Sequence, residues 1–118
     1  GSERLDFTFV EDLVDGIRLV IEHPAARNQT FNLTYGSSRS VQELAEIVLD
    51  HFELVKIEYG SRDDLMPLRG TLSIEKARSL LGYAPRHPIE LGIPRYIEWY
   101  EDIWPESRSG QPVPTATG

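Results

Sequence analysis

Residues 3–24 read ERLDFTFVEDLVDGIRLVIEHP. Leu5, Phe7 and Phe9 alternate with Asp6 and Thr8, the period of a strand with one buried side. Val10, Leu13, Val14, Ile17, Val20 and Ile21 then recur at spacings of three and four, the stripe of a buried helix face. Glu11, Asp12 and Asp15 sit in its first turns, where acids favour the positive helix end. Pro24 stops the helix. The strand feeds the helix with almost no loop, and one cation, Arg4, stands at its mouth.

The pattern repeats along the chain. QTFNLTYG (29–36) reads as a second strand closed by Gly36. SVQELAEIVLDHF (40–52) reads as a helix with a capping box at Ser40 and Glu43 and the stripe Val41, Leu44, Ala45, Val48, Phe52. LVKIEYG (54–60) reads as a third strand. RDDLMPLRGTL (62–72) has no clean period and carries Pro67 and Gly70, so it reads as a loop. SIEKARSLLGYAP (73–85) predicts a short helix capped by Ser73 and stopped at Gly82. The last helix covers roughly residues 89–104, with Pro94 expected in its first turn. Its stripe is Ile93, Tyr96, Ile97, Tyr100, Ile103 and Trp104, and the aromatics Tyr96, Trp99, Tyr100 and Trp104 are expected in the core. Strands alternating with helices imply parallel pairing. The expected fold is α/β, a small parallel-type sheet of about three strands with four helices. A sheet that small suits a lobe resting on a larger domain, because parallel sheets are covered on both faces. Residues 3–104 form that lobe. From Pro105 the composition turns to Ser, Gly, Pro and Thr, and 105–118 reads as a disordered tail.

Composition narrows the function. The chain has 118 residues with 12 Lys+Arg against 19 Asp+Glu, a formal net charge of -7. A surface that acidic does not displace counterions from nucleic acid, nor does it favour an anionic membrane. Cysteine is absent, which excludes disulfides, thiolate nucleophiles and cysteine metal sites, and fits a cytoplasmic protein. His23, His51 and His87 share no metal-ligand spacing and read as structural, so no metal is expected. The sequons at Asn28 and Asn32 read as chance matches.

Three stretches together resemble a known family. RLDFTFVEDLVDGI resembles an arginine, an aromatic-rich strand and a V-x-D-hydrophobic helix start. QTFNLTYGSSRSVQELAEIV resembles an F/Y-N-hydrophobic strand, a glycine turn, a small polar residue and a helix. SRDDLMPLRGTLSIEKARSLLGYAPRHPIELGIPRYIEWY resembles an arginine loop, a D/S-x-x-K-A helix, an L-G-[YW]-x-P turn and a final helix ending near W-Y. In that order, over about residues 3–104, they resemble the C-terminal, substrate-binding part of the extended short-chain dehydrogenase/reductases, the NAD-dependent sugar-nucleotide epimerases and dehydratases.

The resemblance implies a parent that moves a hydride to NAD, changes a transient ketose and returns the hydride. It also implies that the parent's nucleotide-binding domain is absent here. No G-x-x-G-x-x-G follows a strand to seat a pyrophosphate, and no Y-x-x-x-K supplies acid/base chemistry. The chain alone is therefore expected to bind no NAD and to be inactive, with no catalytic residue of its own. What it supplies, by resemblance, is the wall facing the sugar-nucleotide diphosphate. Arg4 and Arg62 are the candidate phosphate contacts, Asp64 the candidate ribose acceptor, and Arg69 a second cation on the same loop. A guanidinium gives bidentate hydrogen bonds to phosphate, and a carboxylate accepts from a ribose hydroxyl. Self-association through surface left bare by the missing domain is a further expectation. The alternative is an autonomous small binding or protein-interaction domain without catalysis.

Overall fold

The computed structural model describes residues 3–52, 55–60 and 69–105. Among them, two short strands, β1 (Arg4–Leu5) and β2 (Arg39–Ser40), pair antiparallel, Arg4 opposite Ser40 and Leu5 opposite Arg39. Four helices follow the sequence pattern: α1 (Val10–Glu22), α2 (Val41–Leu49), α3 (Glu75–Leu81) and α4 (Ile89–Ile103). A short 3-10 turn, Pro24–Ala26, follows α1.

The parallel sheet of about three strands does not appear among the described residues; the strand pairing present is antiparallel. Residues 6–9, 29–33 and 55–60 belong to no helix or ladder. Alternation shows which side of an extended segment is buried, but a strand also needs a neighbour for its backbone groups. Side chains do part of that work here. The Asp6 carboxylate accepts the Thr34 hydroxyl at 2.9 Å, the Gly36 amide at 3.0 Å and the Leu72 amide at 3.2 Å, tying three segments together. Residues 53–54, 61–68 and 106–118 lie outside the described residues, and with them the core of the long loop and nearly all of the expected tail.

The core is small. Ile74, Ala77 and Tyr83 are buried together, with Leu19, Phe31 and Leu33 packed on them. The Tyr83 hydroxyl donates to the Thr34 carbonyl at 3.1 Å. Burial and the Asp12, Asp6 and Asp15 carboxylates push its pKa up to about 12. Helix ends follow local chemistry. At α2, Ser40 Oγ accepts the Glu43 amide at 3.0 Å while Glu43 accepts the Ser40 amide at 2.6 Å, the reciprocal capping box. Gly82 ends α3 at φ 69°, a left-handed conformation glycine adopts without strain. The first residue of α3 is Glu75; Ser73 Oγ reaches its amide only at 3.4 Å. Pro94 falls in the second turn of α4, because that helix begins at Ile89.

Two expectations about faces are overturned. The α1 stripe points outward: Val10 is 62% exposed, Val14 57%, Ile17 46% and Ile21 79%. What α1 turns inward is Asp12 and Gly16. In α4, Ile89, Gly92 and Ile97 are buried, whereas Tyr96, Trp99 and Trp104 are exposed. Periodicity locates an apolar face but does not say whether this chain or another surface covers it.

Candidate functional site

Two polar clusters gather residues from distant parts of the chain. The first lies at the mouth of β1. Arg4 Nε donates to Ser38 Oγ at 3.1 Å and Arg4 Nη2 to the Ser38 carbonyl at 2.5 Å. Ser38 is buried, its amide donates to Thr71 Oγ1 at 3.0 Å, and the Thr71 hydroxyl donates back to Ser38 Oγ at 2.8 Å. Thr71 is at the exit of the 62–72 loop, so the structure brings Arg4 and that loop's end together. Arg4 keeps a half-exposed guanidinium, with Nη1 only 3.8 Å from Glu43 Oε2. Beside it, Arg39 Nε donates to Glu90 Oε1 and Nη1 to Ser37 Oγ. The Ser40 amide and hydroxyl, aided by Arg4 and Arg39, hold the Glu43 carboxyl below its ordinary pKa against a smaller desolvation cost.

Arg69, two residues before Thr71, is exposed. Arg62 and Asp64 lie outside the described residues. Of the residues singled out by sequence, Arg4 lies at this mouth. The mouth offers a half-exposed guanidinium braced by Ser38, with the Glu43 carboxylate beside it.

The second cluster was missed by the sequence reading. Asp12, 2% exposed, accepts the Arg86 amide at 3.0 Å, the His87 amide at 2.9 Å and His87 Nδ1 at 2.8 Å. Burial pushes the Asp12 carboxyl up, but these three hydrogen bonds together hold it below its ordinary value. With Nδ1–H given to Asp12, the other ring nitrogen, Nε2, accepts from Arg95 Nη1 at 2.8 Å. Arg95 also pairs bidentately with Glu11, both distances 3.1 Å. The imidazole packs on Phe9 at 4.7 Å between centroids, and the Arg95 guanidinium lies over the same aromatic at 5.4 Å. A groove of about 600 Å3 opens beside the cluster, walled by Phe7, Phe9, Ile93, Tyr96 and Trp99. The available signal was the V-x-D spacing, which set Asp12 beside an apolar stripe; its partners, 74 and 75 residues on, had none.

Neither strand-to-helix turn offers a seat for a dinucleotide. The first puts Glu11 and a fully engaged Asp12 at the α1 N-terminus, and the second puts Glu43 at that of α2. A pyrophosphate needs free amides and no opposing acid there. Among the described residues, no group of three His, Asp or Glu side chains could hold a metal ion, and no helix is long and apolar enough to cross a membrane.

No family model matches the sequence. The chain is similar to the structure of epimerase Mth375 from Methanothermobacter thermautotrophicus, with 34% identity and a TM-score of 0.84, covering 92% of this chain and 33% of that one. It is similar to MoeE5, whose structure is in complex with UDP-glucuronic acid and NAD, with 27% identity and a TM-score of 0.76, covering 87% of this chain and 35% of that one. Among curated proteins, it is 33% identical over 105 residues to the uncharacterized protein MJ1055 of Methanocaldococcus jannaschii, covering 85% of this chain and 31% of that protein. The chain thus spans about a third of the length of the relatives it matches.

Proposed function

We propose that this chain, which is related to about a third of an extended short-chain dehydrogenase/reductase of the NAD-dependent epimerase and dehydratase type, forms the wall that faces the diphosphate of a sugar nucleotide. The observation that carries this reading is the match to epimerase Mth375 over 92% of this chain. In this reading residues 3–104 are a substrate-binding lobe. Arg4 and Arg62 hold the diphosphate, Arg69 adds charge from the same loop, and Asp64 accepts from the ribose. The half-exposed Arg4, braced by Ser38, supports its part. The chain has no catalytic residue of its own.

NAD belongs to the rest of the parent enzyme, since neither turn here suits its pyrophosphate; when bound it supplies the hydride chemistry. Extended segments 6–9, 29–33 and 55–60 become strands of a parallel sheet once that part is present to pair with them. The compartment is the cytoplasm.

Titration calorimetry with a UDP-sugar tests the reading on the polypeptide the gene encodes. Arg4→Ala and Arg62→Ala each remove a charge-assisted contact worth about 1.5–3 kcal/mol, roughly 10- to 150-fold in affinity. The loss should fall on affinity more than on turnover at saturation, because the diphosphate is remote from the reacting carbon. Unchanged affinity in both variants would sink the assignment. The 118-residue chain should show no stoichiometric NAD binding.

A further inference from the structure

Two charged residues at the mouth of β1 are each pinned, and they face each other across a gap. Arg4 commits Nε and Nη2 to Ser38 at 3.1 and 2.5 Å. Its third nitrogen, Nη1, lies 3.8 Å from Glu43 Oε2, beyond hydrogen-bond length. Glu43 cannot swing clear without opening a helix cap. The same Oε2 accepts the Ser40 amide at 2.6 Å, and the Glu43 amide donates to Ser40 Oγ at 3.0 Å. Those Ser40 bonds hold the carboxyl below its ordinary pKa, so it is ionised at neutral pH. Arg39 offsets that charge weakly, because its Nε lies 3.1 Å from Glu90 and 3.9 Å from Glu43. An anion that reaches Arg4 therefore gains a guanidinium and meets a fixed carboxylate.

We propose that Glu43 is a specificity-determining residue, whose carboxylate beside Arg4 disfavours a terminal phosphate and so favours a nucleoside diphosphate that still carries its sugar. This rests on the reading of Arg4 given under Proposed function. The chemistry of the two ligands separates them. In a sugar nucleotide both phosphates are bridged on two sides, and each carries one negative charge. Without the sugar the outer phosphate is terminal and takes a second charge, with a pKa of about 6 as in other phosphate monoesters. Arg4 alone would favour that extra charge. Glu43, held beside it, opposes the charge by repulsion. A site lined by cations without this acid would retain the free nucleoside diphosphate instead.

The capping box allows the charge to be removed while the cap is kept, since glutamine closes the same box. Glu43→Gln goes into the polypeptide the gene encodes, and titration calorimetry compares UDP-glucose with UDP at about pH 7.5, where the outer phosphate of UDP is doubly charged. UDP affinity should rise about two- to fivefold more than UDP-glucose affinity, the range of exposed charge pairs. Ser40→Ala is the control, since it weakens the cap but keeps both the carboxylate and the backbone amide that holds it; the ratio of the two affinities should stay unchanged. The unsubstituted protein gives a test that needs no variant. UDP should gain on UDP-glucose as pH falls from about 7.5 to about 5.5 and the outer phosphate loses its second charge, and Glu43→Gln should lose that gain. The charged groups facing Glu43 are Arg4 and Arg39 on the strands and Glu90 on α4. Arginines keep their charge over this range, and Glu43 and Glu90 are both held below the ordinary carboxylate value. An unchanged ratio in Glu43→Gln overturns the proposal, as does an equal shift in Ser40→Ala or a ratio that does not move with pH in the unsubstituted protein. If Arg4→Ala weakens both ligands while Glu43→Gln leaves the ratio alone, this inference falls by itself. If Arg4→Ala changes neither affinity, the assignment of Arg4 to the diphosphate falls and takes this inference with it.

Discussion

The two polar clusters use opposite means to hold a charged side chain. At the joint between α1 and the 82–88 connection, a carboxylate is nearly sealed from water, and backbone amides and an imidazole saturate it. At the mouth of β1, a guanidinium stays half exposed and is braced from one side. The first arrangement suits a structural role, because Asp12 is buried and both of its oxygens are engaged within the chain. The second leaves the Arg4 guanidinium half exposed, with Glu43 as its neighbour. Burial with hydrogen bonds to both oxygens marks a joint; the braced, half-exposed cation is the proposed contact.

Breaking the joint should have the largest effect. Asp12→Ala orphans the Arg86 and His87 amides and the His87 ring, and should cost about 3 kcal/mol or more, since unpaired buried donors keep their full desolvation penalty. Urea unfolding of the 118-residue chain measures it; a loss under about 1 kcal/mol would remove the distinction drawn between the clusters. Acid should act the same way. Because the folded pKa of Asp12 is depressed, its contribution is present above the unfolded value of about 4 and fades as pH falls through the folded one.

Gly16→Ala tests the same joint from its packing side. The added methyl meets Tyr83 and Leu33 inside ordinary contact distance, and overpacking costs about 1–3 kcal/mol, more than the helix propensity alanine returns. A stabilised Gly16→Ala chain would mean that α1 rests less tightly than drawn.

Tyr83→Phe should cost about 0.5–1.5 kcal/mol, by stranding the Thr34 carbonyl. Ultraviolet titration should find one tyrosine resisting ionisation until about pH 12. The sign follows from the raised folded pKa. Its stability contribution holds below the unfolded value of about 10 and is lost as pH climbs through the folded one. Five tyrosines ionising together near pH 10 would refute the burial.

Smallest of all, Arg4→Ala should change the stability of the chain by about 1 kcal/mol or less, as exposed pairs do. Paired with a large loss of UDP-sugar affinity in the longer polypeptide, that small cost would sharpen the contrast between joint and contact. A stability loss as large as that of Asp12→Ala would make Arg4 a structural residue too.

Local chemistry decided within a turn or two was mostly legible, the Ser73 cap and the first-turn place of Pro94 excepted. The four helices fall where the 3.6-residue period put them, the Ser40–Glu43 box closes as its spacing implies, and Gly82 takes the left-handed stop. Sequence alone fixed these because caps, stops and periodic stripes draw on neighbours only a few residues away. Pairing across the chain was not legible. Nothing within a few residues of Asp12 announces that Arg86 and His87 will enclose it, and nothing near LDFTF says whether a second strand lies alongside. Nor does a stripe such as Val10–Val14–Ile17–Ile21 carry a direction; only the placement of Tyr83 and Leu33 against Gly16 turned α1 so that its apolar side faces out. Hydrophobicity fixes that a surface must be covered, and tertiary structure alone decides what covers it, because burial depends on which distant segment arrives and on which side.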